Sequence, residues 1–111
     1  MEISNMQAVL FCNSVNELSK KRLPIDVLFA IRYNFNLFAN QVQTYEEARK
    51  SLNLGDNDEI TKELGELLSE SVDQPVKKIK MEDLSVIDKS SDYDKLTLAE
   101  LDRLCFMIEE V

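Results

Sequence analysis

The sequence predicts one domain of mainly α class, and three observations carry that prediction. Apolar residues recur at heptad spacing over residues 28–52, as Leu28, Ile31, Phe35, Phe38, Val42, Tyr45 and Leu52, with a single miss at Arg49. Steps of three and four place these side chains on one face of a single long helix. Only two glycines and two prolines occur in 111 residues, too few for the many tight turns of an all-β chain. Two Ser/Thr-x-x-Gln/Glu patterns, Ser4 with Gln7 and Thr97 with Glu100, mark helix starts, because each side chain there satisfies a free backbone N–H of the other residue. At 44% hydrophobic residues, the chain can bury a core of modest size.

The elements follow in order. Residues 1–53 predict an antiparallel helical hairpin. Its first helix, 4–19, carries the stripe Ala8, Phe11, Val15 and Leu18, and Lys20, Lys21 and Arg22 place positive charge at its C-terminal end. Leu23-Pro24 starts the second helix, since proline is tolerated where an N–H would be unpaired anyway. That helix runs from 24 to 53, about 45 Å at 1.5 Å per residue, and Gly55 is its expected stop. Residues 54–75 predict an acidic third helix over 58–72, capped by Asp56 with Glu59, with Ile60, Leu64, Leu67, Leu68 and Val72 on one side and Pro75 at its end. Residues 76–95 predict an extended piece at 76–81, an irregular stretch or second short strand at 82–88, and a polar linker from Ser90 to Lys95. Residues 96–111 predict a terminal helix from Thr97 to about Glu110, with Leu98, Leu101, Leu104, Cys105 and Ile108 on its apolar face.

The net charge of −8 is unevenly spread. Segment 54–75 carries −6, segment 76–81 carries +3 through Lys77, Lys78 and Lys80, and segment 82–111 carries −6. This disfavours general attraction to nucleic acid or to an anionic membrane and fits a basic partner surface or simple solubility better. Histidine is absent, which removes Ser-His-Asp and Cys-His catalysis and histidine metal ligands. Cys12 and Cys105 predict buried free thiols, two sulfurs being half a structural zinc sphere. No apolar run approaches the ~20 residues of a membrane span, and the N-terminus lacks a signal pattern, so a cytoplasmic protein is expected.

Each polar cluster has a plain reading that outweighs chemistry. Asp56, Asp58 and Glu59 lack the full oxygen set of a calcium loop and fit a helix cap. Asp92 and Asp94 fit a solvated linker. The three lysines fit internal counter-charges or protection of a strand edge. No catalytic residue, cofactor or metal is expected. The residues expected to touch a partner are Tyr33, Phe38, Tyr45 and Arg49 along the long helix, with Glu63, Glu66 and Glu70 as an acidic face. Tyr33, near Asn34, Asn36 and Asn40, lies off the seam on a side expected to be partly exposed. Arg49 interrupts the seam, where a polar residue can fix oligomer state, so a homo-oligomer is one alternative.

The order of segments resembles small proteins encoded by phages and prophages. Leu23-Pro24, Asn34, Glu46-Glu47-Ala48-Arg49-Lys50, Glu66-Leu67-Leu68, Val76 with Ile79, Glu82-Asp83-Leu84 and Met107-Ile108-Glu109-Glu110 carry the resemblance across nearly the whole chain. It implies a phage context rather than an activity. The expected function is a non-enzymatic interaction or virion-assembly protein that binds a phage or host protein through helical apolar and acidic surfaces. The alternative is an inhibitor of a host defence system, similar to anti-CRISPR proteins, whose acidic faces occupy a nucleic-acid channel. Neither reading expects direct nucleic-acid or membrane binding.

Overall fold

The computed structural model describes residues 1–51 and 58–109 and is mainly α. Its order is β1 (Glu2–Ser4), α1 (Asn5–Leu18), α2 (Ile25–Ser51), α3 (Asp58–Ser69), β2 (Ser71–Asp73), β3 (Ile79–Lys80), α4 (Met81–Lys89), α5 (Leu98–Leu104), a 3-10 turn (Cys105–Met107) and β4 (Ile108–Glu109). Asp56 of the expected cap, the stop at Gly55 and the seam residue Leu52 lie outside the described residues.

The hairpin forms as its sequence dictates. Ser4 Oγ accepts from the Gln7 N–H at 3.1 Å and Gln7 Oε1 accepts from the Ser4 N–H at 2.9 Å, closing the capping box of α1. Ala8, Phe11, Val15 and Leu18 are all buried. The Pro24 carbonyl accepts from Val27 and Leu28 at 3.0 and 3.1 Å, so α2 begins on the preset φ of proline. α2 packs on α1, and its inner face holds Val27, Ala30, Ile31, Asn34, Phe38, Gln41 and Tyr45. The heptad seam is therefore internal. Ile31, Phe38 and Tyr45 are buried, while Leu28, Phe35 and Val42 form a half-buried flank. Phe11, Phe38 and Phe106 meet at 5.4–5.7 Å between ring centroids and tie both helices to the C-terminal turn.

Two amides on this inner face organise the rest of the chain. Asn34, expected on a partly exposed side, is fully buried; its Nδ2 donates to the Lys77 carbonyl and its Oδ1 accepts from the Lys77 N–H, each at 2.8 Å. Gln41 Nε2 donates to the Ile3 carbonyl at 2.9 Å and to Asn5 Oδ1 at 3.0 Å, and its Oε1 accepts from Gln74 Nε2 at 3.0 Å. Seven helical residues rise about 10.5 Å, and three extended residues span about 10 Å. Amides one heptad apart thus catch Gln74 and Lys77, and the segment runs antiparallel to α2.

The structure corrects the sequence at three places. The third helix ends at Ser69, not at 72, because Asn5 takes the free carbonyls at its end: the Asn5 N–H donates to Glu70 and Nδ2 to Leu67, both at 2.8 Å. Residues 71–73 then form β2, antiparallel to β1 with Ile3 opposite Val72. Residues 82–88 are helical, within α4; Leu84 and Ile87 turn inward while Glu82 and Asp83 suit the dipole of its first turn. The terminal helix stops at Leu104. Met107 is buried by the following 3-10 turn, and Ile108 leaves it extended to pair in parallel with Ile79.

α5 opens on the expected capping box, Thr97 with Glu100. Lys21 joins it, its Nζ 3.0 Å from Glu100 Oε1. Burial pushes the Glu100 carboxyl up, but the Thr97 N–H and the Lys21 ammonium outweigh it and hold the group below the usual glutamate range. A carboxylate lowered on folding stabilises above its unfolded value, and that stability is lost as pH falls through the folded one. Glu100→Gln is thus expected to lose up to ~1 kcal/mol at neutral pH, with the difference closing in acid; denaturant unfolding at both pH values checks it.

Candidate binding surface on the long helix

α2 is too long to be covered on every side by the chain that packs against it. Along its outer face, Ile25, Phe29 and Tyr33 stand at steps of four and are 66%, 62% and 48% exposed. Side chains four apart on a helix are neighbours, so the three form one apolar stripe. Asp26 and Arg32, also exposed, flank it, and Arg32 lies 5.7 Å from the Phe35 ring centroid.

The stripe borders two clefts that share Phe29 and Arg32. One, about 630 Å³, lies between α2 and the Lys77–Asp83 segment and is lined by Tyr33, Lys77, Lys78, Lys80, Glu82 and Asp83 among others. The other, about 370 Å³, opens toward α1 beside Val15 and Ser19. The segment is clasped at Gln41 and then at Asn34, so it runs toward the start of α2. The first cleft is accordingly basic near Arg32 and Lys77 and acidic near Asp26, Glu82 and Asp83. Among the described residues, no carboxylate lies within ion-pair distance of Arg32, Lys77, Lys78 or Lys80. The sequence offers two readings for the three lysines; Lys80 lies on the short strand β3, and none of the three is ion-paired among the described residues.

The structure separates the expected partner-binding residues. Tyr33 is exposed in the first cleft. Phe38 and Tyr45, at 0% and 6% exposure, lie in the core and offer no surface to a partner. Glu63, Glu66 and Glu70 are exposed at or just beyond α3, and none lines the cleft at Tyr33. Arg49 is exposed and lies 3.4 Å from Glu46 on its own helix. Arg49→Leu is expected to change stability by no more than ~0.5 kcal/mol and to leave the oligomeric state unaltered, as light scattering and denaturant melts would show. Ile25 and Phe29 are not among the contact residues that the sequence pattern points to. Their signal is an i, i+4, i+8 repeat out of phase with the seam, hidden because the seam already accounted for the helix.

The remaining candidates have structural roles or stand alone. Asp94 accepts from the Arg22 N–H at 2.7 Å, with the Arg22 guanidinium at 3.5 Å; these contacts hold its carboxyl below the usual range and fasten the linker to the hairpin turn. Cys12 is half-buried, and burial pushes its thiol up to about 11. Cys105 is a free, exposed thiol rather than a buried one. Among the described residues, no three acidic or cysteine side chains gather as metal ligands, and no helix is long and apolar enough to cross a membrane.

No protein-family model, curated protein or solved structure matches the chain.

Proposed function

We propose that this is a non-enzymatic protein-interaction protein of the phage or prophage kind its sequence resembles, and that it binds through the outer face of α2. The observation that supports this is the stripe Ile25, Phe29 and Tyr33, exposed on the longest helix of the fold and flanked by cations that have no ion pair among the described residues. The mechanism is burial of an apolar helix face, with Arg32 and the lysine cleft selecting the partner by charge. The test is capture from infected-cell lysate with the wild-type chain and with a Phe29→Ser, Tyr33→Ser variant as bait. A protein held by the first and lost by the second is the expected result. Capture indifferent to the substitutions would place binding elsewhere.

A second reading, an inhibitor occupying a basic nucleic-acid channel in a host defence enzyme, draws on the exposed acids Glu63, Glu66 and Glu70. None of them has an ion pair among the described residues. The two differ in salt response. Binding by the acidic face weakens steeply with salt and competes with DNA or RNA, whereas binding by the apolar stripe persists.

A further inference from the structure

We propose that the open edge of β2 takes an extended basic segment of a partner protein as a third, antiparallel strand. This surface shares no residue with the stripe on α2, so it stands or falls independently of the reading above. β1 and β2 pair with Glu2, Ile3 and Ser4 opposite Asp73, Val72 and Ser71. Just beyond, the Gln74 N–H donates to the Met1 carbonyl and the Asn5 N–H to the Glu70 carbonyl, both at 2.8 Å. Hydrogen-bonded pairs alternate along an antiparallel ladder, so Ile3 with Val72 is the bonded pair between these two. Ser71 and Asp73 therefore point their N–H and C=O groups away from β1. Among the described residues these backbone groups have no partner, and both residues are exposed. Two donors and two acceptors in strand register are a template for another strand.

The cleft beside this edge selects the occupant. Ile3 and Val72 lie on the same face of the pair. Ile3 is fully buried, but Val72 is 45% exposed, so the inner face is left open at β2. It opens on a cleft of about 510 Å³ whose apolar wall is Leu37, Tyr45, Ala48, Leu67 and Val72. A strand residue opposite Val72 sets its side chain over that wall, as alternate side chains do in strand addition. Among the described residues, Glu70 is the one charged side chain that lines the cleft. Glu63, four residues before Leu67 on α3, adds a carboxylate on the same side. On the outer face Glu2 stands opposite Asp73. Asp73 is held by the Met1 ammonium at 2.8 Å, but Glu2, Glu63 and Glu70 have no ion pair among the described residues. A strand with basic side chains near Glu70 and Asp73 and an aliphatic one between them is complementary to this edge. A second copy is not, since pairing β2 with itself sets two acidic edges side by side on chains that each carry −8.

NMR titration of the isotope-labelled chain with the end-blocked peptide Thr-Lys-Val-Thr-Lys-Thr tests the proposal. With its valine opposite Val72, the lysines fall opposite Asp73 and Glu70. The Ser71 and Asp73 amides shift and gain protection from exchange. A peptide with glutamate in place of both lysines binds about tenfold more weakly, and Glu70→Lys weakens binding of the lysine peptide. Methylating the amide nitrogen of the threonine after valine, which donates to the Ser71 carbonyl, abolishes binding. Methylating that of valine, which points away from β2, does not. Ser71→Pro removes one outward donor and no bond to β1, and it also abolishes binding, with circular dichroism confirming its fold; should it not fold, the methylated peptides decide alone. Shifts that avoid Ser71 and Asp73, binding indifferent to both methylations, or no shift at millimolar peptide each overturn the proposal. Equal binding of the glutamate peptide overturns the basic occupant. Protection of both amides in the free chain that is lost on dilution identifies a second copy as the occupant and likewise overturns it.

Discussion

Phe38→Ala is expected to destabilise the protein by about 3–5 kcal/mol, the usual range for removing a fully buried phenylalanine ring. A domain of this size has only about 5–15 kcal/mol in all. Phe38 lies near the middle of α2 with no exposed surface. It meets Phe11 of α1 nearly edge-on, at 5.6 Å and 74°, and Phe106 of the C-terminal turn at 5.7 Å and 39°. Phe11 and Phe106 are themselves edge-on at 5.4 Å. Removing one ring deletes its buried area and leaves a cavity under the other two, which are carried on separate elements. Because the three rings share contacts, Phe38→Ala and Phe106→Ala together are expected to differ from the sum of the single changes. Phe29→Ala, on the exposed side of the same helix, is the matched control and is expected to stay within ~0.5 kcal/mol. Urea unfolding midpoints for the two single variants, their double and the Phe29→Ala control check this. A Phe38→Ala variant as stable as Phe29→Ala would mean that the seam is not the internal core.

The contrast between these phenylalanines shows what the sequence makes legible. α1 and α2 could be read because their signals are local: a capping box at Ser4, a proline at 24 and a long apolar repeat. The same repeat could not show that the buried face also includes Asn34 and Gln41. A buried amide is acceptable only when its partners are present, and these partners are backbone groups and side chains some 33–43 residues away in sequence. β1 and β2 are three residues each, too short for a strand period to appear. They exist because Asn5 ends α3 and Gln41 holds the Ile3 carbonyl. α4 was missed because Met81 and Val86 are exposed, so its apolar residues do not all mark one face. The terminal helix was overrun because its local pattern continues past Leu104, whereas pairing of Ile108 with Ile79 requires the chain to leave the helix.

The same division applies to the binding surface. Tyr33 could be picked out as lying off the seam, but Phe38 and Tyr45 were grouped with it because aromatic composition does not reveal which side of a helix is covered. What distinguishes them is phase. Phe38 and Tyr45 share the face of Asn34 and Gln41, which the 74–80 segment and the N-terminal strand close. Ile25, Phe29 and Tyr33 lie where no element of the described chain crosses α2. An uncovered stripe on a helix whose other face is fully used is the strongest functional signal in the fold.

Asn34→Leu is expected to cost about 2–4 kcal/mol, because it removes both hydrogen bonds to the Lys77 peptide group without changing much volume. The carboxamide donates to the Lys77 carbonyl and accepts from the Lys77 N–H, both at 2.8 Å, and thus acts toward that residue as a neighbouring strand would. Leucine leaves both groups without a protein partner beside the core. Asn34→Asp keeps the acceptor but turns a carboxylate oxygen toward the Lys77 carbonyl and brings a charge into the core, so it is also expected to destabilise. Unlike the leucine variant, it worsens as pH rises through the carboxyl's titration. Amide exchange separates this mechanism from general damage. In Asn34→Leu the Lys77 N–H loses protection first, followed by the Ile79–Ile108 pairing it positions, while the α1–α2 contacts hold. The expected loss therefore extends to the cleft, whose lysine wall is carried on the segment that Asn34 fixes. A near-neutral Asn34→Leu with Lys77 still protected would show that the Ile79–Ile108 pairing and core packing alone hold that wall in place.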